Sequence, residues 1–367
     1  MYVHQPSATW RAATDEKGAR VNLKGSTLRR LAVGAAVLAI VLSACTSGGA
    51  SSPSASENGA GASAGTAPSG GESAAPSSAA PVACGTVNLA DNAWVGYEAH
   101  LAVICYILKN ELGCDVVVKN LSEQISWQGF PTGEIDVILE NWGHTDLAAK
   151  YITEQKVAVD FGPTGNKGLI AWFVPKFFAE ANPDILTADK DPKVLNKYAD
   201  QFKTSESGDK GQLLDGDPSY VTNDEALITN LGLNYKVVYS GSEAASDKAI
   251  KAAVDANKPI LAYYWEPNYF STQVAMVHVP LPPYTPGCDA DPKKVACDYP
   301  PYDLNKIVST KFATGGSPAV TVIKNFQWTN DDQNSVAYDI AINKMSDDEA
   351  AKKWLDAHPD TWKAWMP

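Results

Sequence analysis

The chain is short of what catalysis and nucleic-acid binding require. It has five histidines in 367 residues, and the four beyond the amino-terminal region, His100, His144, His278 and His358, fall in no zinc-hydrolase pattern. None of the six cysteines forms a Cys-x-x-Cys pair, so the usual zinc spacings are missing. There is no Gly-x-Ser-x-Gly elbow, no phosphate-cradling glycine loop ending in Lys-Ser or Lys-Thr, and no dinucleotide fingerprint. Paired carboxylates such as Glu140 and Asp146 would suit a glycosidase dyad, and aromatic platforms also bind sugars. The reading that follows from these absences is a protein without enzymatic activity, metal or cofactor. Positive charge is scarce too. The 30 Lys and Arg face 42 Asp and Glu, and six of the former and two of the latter precede Cys45, which leaves a charge near −16 from Cys45 onward. That balance excludes a nucleic-acid-binding or polybasic membrane face and suits a soluble domain outside the cell.

Long apolar runs are also lacking. The run Leu31 to Leu42 is about a dozen residues, too short to span a bilayer and right for the hydrophobic region of a signal peptide, with Lys24, Arg29 and Arg30 ahead of it. Leu42-Ser-Ala-Cys45 closes the run and resembles a bacterial lipobox, which implies cleavage before Cys45 and acylation of its thiol. Two acyl chains suffice for stable anchoring. Residues 1–44 are therefore expected to be a signal peptide with an amino-terminal extension. Residues 45–83, almost all Ser, Ala, Gly and Pro, read as a lipid-anchored disordered tether. With Cys45 acylated, five cysteines remain. Cys288 and Cys297 flank a short Asp- and Pro-containing loop and are expected to staple it; Cys84 and Cys114 open two neighbouring strands. Cys105 sits on the apolar face of a helix as the expected free thiol, and a Cys105–Cys114 bridge is the competing pairing.

From Cys84 the pattern alternates. Strand 86–90, helix 96–112, strand 114–119, helix 125–132 and strand 135–139 are followed later by helix 224–231, strand 235–239, helix 243–255 and strand 259–264. Such alternation predicts parallel sheets covered by helices, in two lobes. Leu169 to Val174, stopped by Pro175, reads as a crossing between the lobes, and Ser271 to Val279 as the return. The expected division is 84–170 and 273–367 for the first lobe and 171–272 for the second. Trp94, Trp142 and Trp265 each follow one of these strands. In open α/β sheets ligands collect beyond the carboxyl ends of strands. Several indole faces around one point suit a quaternary ammonium, which has charge but no N–H to donate.

Four stretches carry a resemblance: Gly133-Glu-Ile-Asp-Val-Ile-Leu-Glu-Asn-Trp142, Gly168-Leu-Ile-Ala-Trp-Phe-Val-Pro175, Lys258-Pro-Ile-Leu-Ala-Tyr-Tyr-Trp-Glu-Pro267, and Glu349-Ala-Ala-Lys-Lys-Trp354 through Trp362-Lys-Ala-Trp-Met-Pro367. From about Cys84 to Pro367 the chain resembles the substrate-binding lipoproteins of ABC importers for glycine betaine, choline and related osmoprotectants. The resemblance implies a type II periplasmic-binding-protein fold, two α/β lobes on a two-stranded hinge, working as a monomer with a permease and an ATPase. It implies an aromatic cage of Trp94, Trp142 and Trp265, with Tyr97 as a fourth wall or a helix cap. Where the family often has Trp-Leu-Pro, this chain reads Trp142-Gly-His-Thr145, so the polar half of the site departs from the pattern. His144 and Tyr220 are the candidate carboxylate holders, Glu140 the candidate counter-charge, and Trp172 touches the ligand or braces the hinge. Glycine betaine is the expected ligand. Choline or carnitine specificity, or a sensing receptor on the same fold, are the alternatives.

Overall fold

The computed structural model describes residues 83–367. The signal peptide, the Cys45 lipobox and nearly all of the tether lie outside the described residues. Nine strands, β1 Thr86–Asp91, β2 Asp115–Asn120, β3 Val137–Asn141, β4 Ala158–Pro175, β5 Gly211–Asp215, β6 Tyr235–Tyr239, β7 Ala262–Glu266, β8 Met276–Val279 and β9 Tyr302–Ser309, run in the order β2-β1-β3-β9-β4-β7-β5-β6, with β8 also on β4. These sheets make the two α/β lobes expected from the sequence. In the first lobe β2, β1 and β3 are parallel and β9 is antiparallel to β3; in the second β6, β5 and β7 are parallel.

The 18-residue β4 joins the lobes. Ala158 to Gly168 pairs with β9, and Leu169 to Phe173 pairs with β7. The return differs from the sequence expectation. Met276 to Val279 does not cross back, because it pairs antiparallel with Trp172 to Pro175 inside the second sheet; the chain re-enters the first sheet only at Tyr302, opposite Gly168.

Helix α1, Val95–Asn110, buries Ala99, Val103, Ile107 and their neighbours, and it packs on the helices Asn330–Ala341 and Asp347–Ala357. Burying one such side chain contributes about 1.5–3 kcal/mol, so this face fixes where α1 begins. A further helix spans Ala319–Asn325. Cys84 is bonded to Cys114 with Cα atoms 4.9 Å apart, and Cys288 to Cys297. Cys105 is a buried free thiol that burial pushes up to about 12, which leaves it a packing group.

Candidate functional site

The parallel strands of both lobes end at one cleft. From the first lobe, Trp94 arrives on the β1–α1 connection, Trp142 directly after β3, His144 two residues later, Glu123 at the start of helix α2 (Glu123–Thr132), and Tyr302 at the start of β9. The second lobe supplies Tyr263 and Trp265 from β7, and Tyr220 and Val221 from the loop after β5; Ile170 of β4 closes the floor. Together they enclose ≈ 460 Å³ of atom-free space, part of it open to solvent. Side chains two apart share a face of a strand, so Tyr263 and Trp265 face the cleft while Tyr264 points behind it and stacks on Trp265 at 4.8 Å. Tyr220 meets Trp94 and Trp265 edge-on, at 6.1 and 5.6 Å, and Tyr302 meets Trp142 at 5.5 Å. No Lys or Arg lines the cleft among the described residues.

Behind the wall lies a buried carboxylate. Glu140 Oε1 accepts the indole N–H of Trp94 at 3.0 Å and of Trp142 at 2.8 Å, and Oε2 accepts from Gln333 Nε2 at 3.0 Å. The polar wall of the cleft is a different pair. His144 Nε2 lies 2.8 Å from Glu123 Oε1, at ion-pair distance but off the line of a good hydrogen bond. Burial opposes the charged imidazole, yet the Glu123 charge beside it outweighs that and holds His144 above its ordinary value.

The lobes also touch at the mouth. Tyr220 Oη donates to the Ala93 carbonyl at 3.0 Å. Helix α1 has no side-chain cap of its own; instead the Val95 N–H donates to Glu243 Oε2 of the second lobe at 2.8 Å. A carboxyl oxygen at a helix amino terminus satisfies an orphan donor there. Asn268 Nδ2 holds the other oxygen of Glu243 at 2.8 Å. Burial raises Glu243 to about 8.

Comparison with known proteins settles the family. Residues 85–357 match the substrate-binding domain of the ABC-type glycine betaine transport system. The chain belongs to that family. It is thus a substrate-binding protein of the family that serves ABC-type glycine betaine transport, not an enzyme, and that family works outside the cytoplasm. A trimethylamine N-oxide-binding protein of Pelagibacter ubique is 25% identical over 262 residues, which are 68% of this chain and 81% of that protein. The fold is that of lactococcal OpuAC in its closed form with glycine betaine, at 22% identity and TM-score 0.58 over 77% of this chain and 99% of that one. It is also that of a choline-binding protein of an ABC transporter in complex with choline, at 19% identity and TM-score 0.61 over 77% and 91%. No helix among the described residues is long and apolar enough to cross a membrane.

For this family member, the residues expected from the sequence divide into two groups. Trp94, Trp142, Trp265, His144 and Tyr220 line the cleft. Tyr97, Glu140 and Trp172 do not. Tyr97 is fully buried against the edge of Trp94, and its hydroxyl accepts the Leu139 N–H at 3.0 Å, so it is neither a fourth wall nor a cap. Glu140 is screened from the cleft by the two indoles it holds. Trp172 is fully buried in β4 and donates to Asp224 Oδ1 at 2.8 Å, bracing the second lobe where β4 enters it. Trp265 lies within β7 instead of after it, because the strand begins at Ala262, later than the apolar run suggests. Five lining residues escaped the sequence reading: Glu123, Tyr263, Tyr302, Ile170 and Val221. Strand alternation beside Trp265 and the position of Glu123 just after β2 were available signals for the first two. Tyr302 had none, since only the β4–β9 pairing brings it to the cleft.

Proposed function

We propose that this protein is the lipid-anchored, extracytoplasmic receptor of an ABC importer, tethered through Cys45, and that it captures a quaternary ammonium osmolyte, glycine betaine, for its permease and ATPase. The carrying observation is the cleft wall: three indoles and three phenols converge on one space that no Lys or Arg enters among the described residues. A trimethylammonium head offers a diffuse positive charge and methyl groups but no N–H, so aromatic faces are its natural partners. Desolvated cation–π contacts are worth on the order of 2 kcal/mol each, so three supply much of the ~8 kcal/mol that micromolar binding requires. Trimethylamine N-oxide, the named ligand of the Pelagibacter relative, carries the same methylated head.

A second reading, choline as the ligand, is favoured by the polar wall. A betaine carboxylate would compete with Glu123 for His144, and the Tyr220 hydroxyl already donates to Ala93. A choline hydroxyl would donate to Glu123 and leave the pair intact. Isothermal titration against glycine betaine, choline, carnitine, proline betaine, trimethylamine N-oxide and a neutral sugar tests both readings. Micromolar binding of betaine over choline supports the first and the reverse order supports the second. Heat with the sugar and none with any methylated ammonium compound or the N-oxide overturns both.

A further inference from the structure

Glu140 is fully buried, and every polar neighbour it has is a donor. Besides the two indoles and Gln333, His100 Nδ1 lies 2.9 Å from Oε2. On the other side of its ring Nε2 faces the Trp328 indole N–H at 2.7 Å and, farther off, Asn166 Oδ1 at 3.3 Å; the closer indole can only donate, so the ring proton sits on Nδ1, on the side of Glu140 but off the line of a good hydrogen bond. Three N–H donors and the His100 imidazole surround it and no acceptor faces it, the setting of an acceptor-only carboxylate. No Lys or Arg pairs with it among the described residues. Room for this arrangement is built in at Gly96, where a Cβ would lie 2.5 Å from Gln333 Nε2.

We propose that Glu140 is a positioning residue and the fixed counter-charge of the cage, acting on the ligand through Trp94 and Trp142 instead of by contact. One carboxylate oxygen takes both N–H groups, which locks two rings from separate connections into one relative orientation. Its charge at the N–H edge of each indole also makes the ring faces more negative, and that face potential is what attracts a cation. A purely structural anchor needs an acceptor there; this role needs the charge. The inference rests on the reading of the cleft as a cage for a methylated ammonium head.

The test compares wild type with Glu140→Gln, whose side-chain oxygen still accepts from the indoles. The probes are choline and its neutral carbon isostere 3,3-dimethylbutan-1-ol, with the indole N–H resonances followed in the free protein. The choline Kd is expected to rise ~10- to 100-fold while that of the isostere changes by no more than about twofold, and the Trp94 and Trp142 N–H signals should move upfield. An equal loss for both probes, or an unchanged choline Kd, overturns the proposal. Should Glu140→Gln fail to fold, Trp142→Phe keeps a ring and loses the N–H link to the carboxylate; it must show a smaller loss that is still selective for the charged probe, and a loss equal for both probes overturns the proposal. Wild type that binds choline no better than the isostere overturns the cage reading as well, an outcome distinct from wild-type binding that Glu140→Gln leaves unchanged.

Discussion

Tyr220→Phe isolates a single atom of the contact between the lobes. The hydroxyl donates to the Ala93 carbonyl at 3.0 Å across the mouth of the cleft, while the ring meets Trp94 and Trp265 edge-on at 6.1 and 5.6 Å. Removing the oxygen should leave the wall standing and weaken only the closed state. When the lobes part, both groups regain water, so the net value of the bond is the modest ~0.5–1.5 kcal/mol of a neutral hydrogen bond. That converts to a Kd about two- to twelvefold higher. Most of it should appear in the dissociation rate, because encounter with the open cleft does not involve this bond. Tyr220→Ala also removes the ring and should lose ~100-fold. Stopped-flow tryptophan fluorescence with the tightest ligand of the titration series reads both rates. If Tyr220→Phe is as damaging as Tyr220→Ala, the hydroxyl meets the ligand and not Ala93, and the assignment of Tyr220 as a closing contact is wrong.

Three further outcomes are expected. Gly168→Ala would place a Cβ 2.6 Å from Trp142 Cζ3 and 3.0 Å from the Tyr302 Cβ, so one methyl group far from any polar atom should cost ~10-fold or more in affinity by pushing the indole out of place. Binding should also weaken as pH rises: burial against the first lobe raises Glu243 to about 8, parting the lobes returns it to water and a lower value, and closure therefore takes up a proton. The Kd at pH 9 should exceed that at pH 6, and Glu243→Gln should flatten the rise in Kd between the ordinary carboxylate range and about pH 8; a slope unchanged in that variant assigns the effect elsewhere. Trp172→Phe removes a donor to the fully buried Asp224 and should lower stability by ~1–3 kcal/mol in denaturant titration with no more than a twofold change in Kd.

Local chemistry carried much of the fold. Periodic apolar runs and breakers located α1, β2, β6 and the helix Glu243–Asp255 to within two residues. The misplacements came where pairing overrode composition. Pro259 and the next two residues lie outside β7, and Met276 to Val279 became an edge of the second sheet because β4 offers it a free ladder. In the site, the indoles were legible because strand ends collect ligands in such sheets. What stayed hidden was the sharing of partners. A glutamate two residues before Trp142 reads as a ligand contact; only the meeting of β1, β3 and the helix Asn330–Ala341 surrounds it with donors. Likewise Glu123 and His144 are 21 positions apart, and no local pattern joins them.

The central claim is that Trp94, Trp142 and Trp265 form the wall that holds a methylated ammonium head. The most direct measurement is a crystal structure with the tightest binder of the titration series. The account predicts the ligand nitrogen within about 6 Å of all three indole centroids and no closer to any carboxylate than to those rings. A ligand seated outside the cleft, or one whose ammonium pairs directly with Glu123 while the three indoles face away, would contradict it.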